Sequence, residues 1–256
     1  MCASRFYNEK INQCHAAGSG VVFNDYPVFI LNISFIVDWA GVFKMELKIK
    51  DMPKLESPFV RKLLYNGNYI VTPEITEGYE WVFEDSQVMA IEKLNGTNVS
   101  IIIQEGIVIA VFNRTERIPF INKGKKWIIE GLLNSNERGY LEFLGDGQHF
   151  GELIGPKVNG NPYKLKEHLW IPFETFCQKH LVYKSWGKYP KNFEIISNWF
   201  KELIPLYSCM VHGEEGRKNG FVEGIVFTHP DGRMAKIRKD MFEWFKSNEK
   251  NDSKRS

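Results

Sequence analysis

The stretch EKLNGTN, residues 92–98, places a lysine between two apolar, strand-like runs, QVMAI before it and VSIII after it. A lysine amine is protonated at neutral pH and must lose that proton before it can act as a nucleophile. Partial burial and nearby cations favour the neutral amine. Lys93 is therefore a candidate nucleophile, although the same pattern, taken alone, also fits a solvated lysine at the end of a strand.

More charged residues lie in strand-like runs further along the chain. Glu152 lies in HFGELIG, Glu223 begins the predicted strand in VEGIVF, and Lys236 and Arg238 lie in AKIRK. Because side chains two apart on a strand share a face, Lys236 and Arg238 point the same way. One face could therefore gather a lysine nucleophile, two carboxylates and two further cations. This set suits transfer of a phosphoryl group better than glycoside hydrolysis, which needs two carboxylates but no cations beside them.

Two hairpins contribute these strands. VSIIIQEGIVIAVFNR predicts a hairpin that turns at residues 104–106, and EGIVFTHPDGRMAKIRK predicts one that turns at Asp231 and Gly232. The run NFEIISNWFKELI has helical spacing and is expected to end at Pro205. Its apolar face comprises Phe193, Ile196, Phe200 and Leu203.

Antiparallel strands with a few flanking helices predict an α+β domain. Every candidate site residue lies after Met45, and the chain becomes polar from Lys246 onward. We therefore expect an N-terminal extension at residues 1–44, one catalytic domain at 45–245 and a polar tail at 246–256.

Composition excludes several function classes. A net charge of +2 over 256 residues leaves any nucleic-acid site to a local patch, for which the basic run NKGKKW at 122–127 is a candidate. The four cysteines form no CxxC pair, which argues against zinc and a disulfide framework. The apolar stretch 26–43 contains Asn32 and Asp38 and is shorter than the ~20 residues of a spanning helix. No GxxxxGK[ST] loop occurs. We expect a cytoplasmic protein without a membrane segment.

The ordered series KLNGTN, FNRTER, GELIG, LWIPFETF, EGIVF and AKIRK resembles the covalent nucleotidyltransferases. These comprise ATP-dependent RNA and DNA ligases and mRNA capping enzymes, and the chain is most similar to the RNA ligase 2 branch. The resemblance covers roughly residues 50–245. It implies a nucleotidyltransferase domain, an ATP-grasp-like adenylyltransferase fold of antiparallel sheets with flanking helices. It also leads us to expect no C-terminal OB-fold, because little chain follows the last motif.

Within the first motif, the resemblance makes Lys93 the nucleotide-accepting residue and gives Glu92 a part in holding the adenine. Asn95 stands where Asp is usual and can hydrogen-bond but carries no charge. Gly96 would let the backbone approach the nucleotide closely. Asn98 follows the ligase 2 pattern, whereas capping and DNA enzymes usually have Arg there. The resemblance implies that Asn95 and Asn98 both contact the nucleotide.

The later motifs supply the remaining roles by the same resemblance. Arg114 would contact a phosphate or the sugar, Glu152 the ribose or a metal ion, and Phe173 would stack on the base. Glu223 would bind the metal. Lys236 matches the first lysine of the final motif, and Arg238 stands where a second lysine is usual. Both cations would act in catalysis, and Lys236 would also contact the nucleotide.

The resemblance thus implies an ATP-dependent RNA ligase that joins a 5′-phosphate to a 3′-hydroxyl through a covalent lysyl-AMP intermediate. Its cofactors would be ATP and Mg²⁺ or Mn²⁺, and its substrate RNA in a nicked duplex or with paired ends. A partner domain could replace the C-terminal module that relatives carry. The alternatives are a DNA ligase, a capping-type guanylyltransferase, and a catalytically silent RNA- or nucleotide-binding module of the same fold.

Overall fold

The computed structural model describes residues 49–65, 67–121 and 124–245. The predicted extension at 1–44, the boundary at residue 45 and the tail at 246–256 lie outside the described residues and stay predictions. The elements, in chain order, are β1 (Phe59–Leu63), β2 (Tyr69–Ile75), α1 (Trp81–Glu84), β3 (Met89–Lys93), β4 (Thr97–Gln104), β5 (Ile107–Asn113), β6 (Glu116–Arg117), α2 (Lys126–Glu137), β7 (Gly147–Ile154), β8 (Leu169–Pro172), a π turn (Phe173–Cys177), α3 (Gln178–His180), a 3₁₀ turn (Trp186–Lys188), α4 (Phe193–Lys201), α5 (Leu206–Asn219), β9 (Gly224–Thr228), β10 (Met234–Arg238) and a 3₁₀ turn (Lys239–Met241).

The described strands form three antiparallel sheets. A five-stranded sheet has the order β6-β5-β4-β7-β8, a three-stranded sheet the order β10-β9-β3, and β1 pairs with β2. Antiparallel sheets flanked by helices match the α+β class that the sequence predicts.

Both predicted hairpins are confirmed. β4 and β5 meet at Glu105 and Gly106, whose φ angles are 52° and 73°, as a tight hairpin turn requires. The carboxylate of Asp146 accepts hydrogen bonds from both amides of this turn, at 2.9 Å and 3.1 Å. β9 and β10 are joined through Asp231 and Gly232, and Gly232 has a φ of 93°. The turn chemistry that the sequence displays therefore sets the strand register.

Three buried clusters form the core of the described residues. The first packs α4 against the three-stranded sheet, and the third packs α2 against the five-stranded sheet. The second joins the two sheets, because Ile91 and Leu94 at the end of β3 share it with Ile154 of β7 and Ile171 of β8. The end of β3 is thereby held next to β7, and the candidate nucleophile lies at that junction.

The helix predicted over residues 192–204 is present but shorter. α4 ends at Lys201, and Pro205 does not end it; Pro205 instead directly precedes α5, which the sequence reading did not anticipate. The predicted face is largely right, since Ile196, Phe200 and Leu203 are buried. No helix among the described residues is long and apolar enough to cross a membrane. The apolar stretch at 26–43 lies outside those residues.

Candidate active site

Lys93 is the last residue of β3 and lies opposite Gly224 of β9. Its Nζ is 2.7 Å from Oε2 of Glu223, the residue directly before β9. Only 21% of the Lys93 side chain and 16% of the Glu223 side chain are exposed. Lys93 is therefore neither freely solvated nor isolated, because the partly buried carboxylate of Glu223 neutralises its charge.

Glu152 contributes a second carboxylate from the middle of β7, where it pairs with Asn98 of β4. Burial raises the pKa of Glu152 to about 7. The positive charge of Lys93 lowers this pKa, and the negative charge of Glu223 raises it. These mutual effects show that the lysine and the two carboxylates form one electrostatic cluster.

Lys236 and Arg238 reach the cluster from β10. Ala235, which precedes Lys236, and Ile237, which lies between the two cations, are buried. Lys236 and Arg238 therefore share the opposite, partly exposed face of the strand, as the sequence predicted. Burial lowers the pKa of Lys236, and the charges of Lys93 and Arg238 lower it further. The five predicted charged residues are therefore brought together, although their individual roles stay predictions.

Arg238 has a partner that the sequence reading missed. Its Nε lies 3.1 Å from Oδ1 of Asp240, in the 3₁₀ turn that follows β10. The contact is an ion pair by distance but not a hydrogen bond, because neither Nε of Arg238 nor Oδ1 of Asp240 has a hydrogen-bond partner among the described residues. An acidic residue two positions after a predicted strand cation is the signal that could have pointed to it.

The loop that follows Lys93 is hydrogen-bonded to a second loop at residues 155–168. The amide of Asn95 donates a 2.7 Å hydrogen bond to the hydroxyl of Tyr163. The side-chain amide of Asn159 donates to Oδ1 of Asn95 at 2.6 Å and to the carbonyl of Gly96 at 2.8 Å. Asn95 therefore serves here as a neutral hydrogen-bonding residue, and Asn159 and Tyr163 are functional candidates that sequence reasoning missed.

Gly96 is required by packing within the protein. A Cβ at this position would lie 2.3 Å from the carbonyl oxygen of Leu153 and 2.6 Å from Cγ of Glu152. The sequence interpretation attributed this glycine to close approach of a nucleotide, whereas the structure shows close approach of β7. The Gly96 amide also favours the ionised form of Glu152 by hydrogen bonding and so lowers its pKa.

Asn98 lies on β4 directly opposite Glu152. Its Oδ1 is buried and has no hydrogen-bond partner among the described residues. An unsatisfied buried acceptor is costly in a folded protein, and it commonly indicates a missing donor from water or a ligand. The position of Asn98 is thus compatible with the predicted nucleotide contact.

Glu92 is placed differently from the prediction. Its carboxylate is buried and accepts hydrogen bonds from the amides of Leu206 at 2.5 Å and Tyr207 at 3.3 Å, and from the hydroxyl of Tyr183 at 2.9 Å. These amides are the first two of α5, whose N-terminus favours an anion. In this structure Glu92 caps α5, and an adenine contact would require these bonds to be given up.

Arg114 and Phe173 lie at the margin of the site. Arg114 follows β5 with a φ of 55°, and its Nη1 is 3.2 Å from Oδ2 of Asp51. Its positive charge also contributes to lowering the pKa of Glu152. Phe173 follows β8 and packs, partly buried, against the cluster that joins the two sheets. The predicted phosphate or sugar contact of Arg114 and the predicted stacking of Phe173 on the base stay predictions.

The two carboxylates fit a metal ion that arrives with phosphate. Mg²⁺ commonly keeps several waters and is bound through one or two carboxylates together with substrate phosphate oxygens. Glu152 and Glu223 could provide those two carboxylates. Among residues 49–245, as far as they are described, no group of three or more His, Cys, Asp or Glu residues could hold a metal ion.

Comparison with known proteins gives one family match. A family model described as RNA ligase matches residues 86–247, which contain the lysine, both glutamates and both cations of the cluster. No curated protein matches the chain.

Similar solved structures include a Naegleria gruberi RNA ligase with PPi, at 17% sequence identity and a TM-score of 0.44. The match covers 79% of this chain and 62% of that one. A mutant of the Naegleria gruberi ligase with ATP and Mn is 16% identical, with a TM-score of 0.44, and the match covers 78% of this chain and 63% of that one. The chain thus spans less than two thirds of the length of these proteins.

Proposed function

The chain belongs to the RNA ligase family, and from that membership we propose that it is an ATP-dependent RNA ligase. It would join 5′-phosphate and 3′-hydroxyl RNA ends through a lysyl-AMP intermediate on Lys93. The observation that carries the proposal is the cluster at the junction of the two sheets. There the Lys93 amine lies 2.7 Å from the Glu223 carboxylate, with Glu152 and Lys236 acting on the same charges.

The first step would be attack of Lys93 Nζ on the α-phosphorus of ATP. A nitrogen–phosphorus bond forms, the bond from the α-phosphorus to the bridging oxygen breaks, and pyrophosphate leaves with the electron pair. Nζ must lose a proton in this step. Oε2 of Glu223 is within hydrogen-bonding distance of Nζ and is the proposed acceptor.

Two further displacements would complete ligation. An oxygen of the RNA 5′-phosphate attacks the phosphorus of lysyl-AMP, the nitrogen–phosphorus bond breaks, and AMP is transferred to the RNA end. The 3′-hydroxyl then attacks the 5′-phosphorus and AMP leaves. Lys236 and Arg238 would stabilise the negative charge that spreads over the phosphoryl oxygens in each transition state.

A divalent metal fits the pair of carboxylates described above. When bound, Mg²⁺ would neutralise phosphate charge and compete with Lys93 for the Glu223 carboxylate. Glu152, whose pKa is raised to about 7 by burial, would be held in its ionised form by such a cation. Asn98 and Phe173 are proposed to contact the nucleotide, and Arg114 its phosphate or sugar, once the Asp51 pair opens.

Mass spectrometry after incubation with ATP and Mg²⁺ tests the proposal. We expect an AMP adduct that peptide mapping assigns to Lys93, and neither to Lys157 nor to Lys184, which also precede glycines at the same spacing. Lys157→Ala and Lys184→Ala are matched controls that should retain the adduct. An AMP adduct on the Lys93→Ala variant, or no adduct on the wild type, would contradict the assignment. In a parallel incubation with GTP and Mg²⁺, a GMP adduct would instead indicate a capping-type guanylyltransferase.

A further inference from the structure

We propose that the loop of residues 155–168 is the surface that binds the RNA backbone beside the nucleophile. This inference rests on the proposed ligase function, because it names the part of the chain that holds the RNA substrate. Two basic segments of the chain differ in how far acidic side chains neutralise them. One is the run at 122–127 that the sequence put forward, and the other is this loop.

The basic run at 122–127 is internally neutralised as far as the structure describes it. Residues 122 and 123 lie outside the described ranges. Lys125 pairs with Glu116, and Lys126 pairs with Glu130 at 3.5 Å. Lysines that already have carboxylate partners release little counterion energy when phosphate replaces those partners. This segment is therefore a weak candidate for gripping a polynucleotide.

The loop at 155–168 has the opposite character. Lys157, Lys164 and Lys166 are exposed, and none of them has an ion-pair partner among the described residues. Glu167 is the one acidic residue of the loop, and Arg138 of the neighbouring helix α2 neutralises it. Three uncompensated cations thus stand on one short segment of a chain whose net charge is only +2.

The loop is also pinned to the catalytic lysine's own loop. Asn159 and Tyr163 make three hydrogen bonds to Asn95 and Gly96, two and three residues after Lys93. Lys157 lies two residues before Asn159, and Lys164 directly follows Tyr163. A phosphate bound by these lysines would therefore lie beside the nucleophile, where the 5′-phosphate of a substrate strand must arrive.

Its conformation is tightly set. Asn161 bonds both the amide and the carbonyl of Leu165 through its side chain, at 2.9 Å each. Asn159, Asn161 and Lys164 have φ angles of 45°, 52° and 52°, which non-glycine residues seldom adopt. His212 of α5 bonds the carbonyl of Tyr163 at 2.8 Å. A rigid loop presents its lysines without a large ordering cost on binding, as a preorganised binding surface does.

RNA rather than the phosphates of ATP is the proposed occupant. In the sequence, Lys157 precedes Asn159, and Lys164 and Lys166 follow Tyr163, so exposed lysines flank the two residues that contact residues 95 and 96. A polynucleotide carries phosphates at regular intervals and can meet all three cations, whereas one triphosphate cannot span such a stretch as readily.

The test combines Lys157→Ala, Lys164→Asn and Lys166→Ala in one variant. Asn is chosen at residue 164 because it tolerates the left-handed backbone. The matched control removes the same charge from Lys126, Lys179 and Lys201, which are engaged by Glu130, Phe143 and Asn198 respectively. A third variant replaces the three loop lysines by Arg and keeps the charge. Thermal midpoints of all variants are compared first.

Binding of a fluorescent nicked RNA duplex is then measured by anisotropy between about 50 and about 200 mM salt. On a duplex each phosphate contact contributes ~0.9, so three contacts give a slope of about −2.7 in log affinity against log salt, or about 40-fold in affinity over this range. We expect the loop variant to lose that part of the slope. The control and the Arg variant should keep the wild-type slope.

Lysine adenylation by ATP is measured in parallel. We expect the loop variant to form lysyl-AMP with the wild-type dependence on ATP concentration. Unchanged RNA affinity and salt slope in the folded loop variant would overturn the inference. A raised ATP requirement with normal RNA binding would also overturn it and assign the lysines to the nucleotide. Failure of the wild type to form lysyl-AMP would instead refute the proposed function, and the RNA-binding comparison would remain interpretable.

Discussion

Replacing Gly96 by alanine should disable the catalytic loop with a modest effect on folding. The added Cβ would lie 2.3 Å from the carbonyl oxygen of Leu153, 2.6 Å from Cγ of Glu152 and 2.9 Å from Cγ2 of Ile154. Real Cβ atoms essentially never approach another atom within 3.0 Å. The Leu153 oxygen belongs to the backbone of a paired strand, so it cannot turn aside as a flexible side chain could.

The structure gives the size of both effects. Relief of the clash requires β4 and β7 to separate locally by at least about 0.7 Å, and overpacking of this kind typically costs about 1–3 kcal/mol of stability. The displaced backbone at Gly96 lies three residues after Lys93 and against the side chain of Glu152. A misplacement of about 1 Å near reacting groups can lower a rate on the order of a hundredfold. We therefore expect lysine adenylation to slow by roughly that factor.

Single-turnover formation of labelled lysyl-AMP measures the rate, and urea unfolding measures the stability of the same preparation. Gly145→Ala is the matched control, because a Cβ there meets nothing within 4 Å and the residue has no left-handed φ. It should behave as wild type in both assays. A Gly96→Ala enzyme that is as stable and as fast as wild type would refute the packing argument. An enzyme that is slow but fully stable would place the requirement in nucleotide approach instead.

Three further predictions concern the charged cluster, a buried carboxylate and the substrate. Glu223→Gln and Lys236→Ala should each slow adenylation on the order of a hundredfold, because each removes a charge that serves phosphoryl transfer; folded variants with wild-type rates would contradict this. Burial raises the pKa of Glu92 to about 7 from 4.5, so the folded chain holds a proton that the unfolded chain releases. The proton on Glu92 should add about 3 kcal/mol at most to the free energy of unfolding. This contribution should be present below pH about 4.5 and lost as pH rises through about 7. Because Glu152 titrates in the same range, the difference in urea unfolding between wild type and Glu92→Gln isolates this effect, and parallel pH curves would contradict it. Pre-adenylated nicks with RNA at the 3′-hydroxyl should be sealed faster than all-DNA nicks, since the 2′-hydroxyl and A-form sugar geometry align the attacking oxygen; equal sealing would favour a DNA ligase.

The sequence by itself determined the local features of this protein. Turn residues at Glu105-Gly106 and Asp231-Gly232 specify two hairpins, because few residues tolerate the backbone angles of tight turns. Alternation along β10 specifies that Lys236 and Arg238 share a face, because the side-chain period of a strand is two. The motif series around Lys93 also identified the family that the comparison of residues 86–247 supports.

Only the tertiary structure decided which distant groups meet. Lys93 and Glu223 are 130 residues apart, and Glu92 bonds an amide 114 residues away at the start of α5. The residue next to Lys93 therefore caps a helix, although the motif alone suggested an adenine contact. A periodic pattern encodes which face of an element is buried, but it does not encode which element packs there.

Because the sequence does not encode which elements pack together, it also could not show which of the two basic segments is neutralised in the fold. The run at 122–127 is conspicuous in the sequence, yet Glu116 and Glu130 neutralise its described lysines in the fold. The loop at 155–168 is inconspicuous, yet its lysines have no such partners in the part of the chain that the structure describes, and Asn159 and Tyr163 bond the loop that follows Lys93. Ion pairing depends on distances of a few ångströms in space. The fold brings Glu116 of β6 beside Lys125, and it leaves the lysines of residues 155–168 without an ion-pair partner among the described residues.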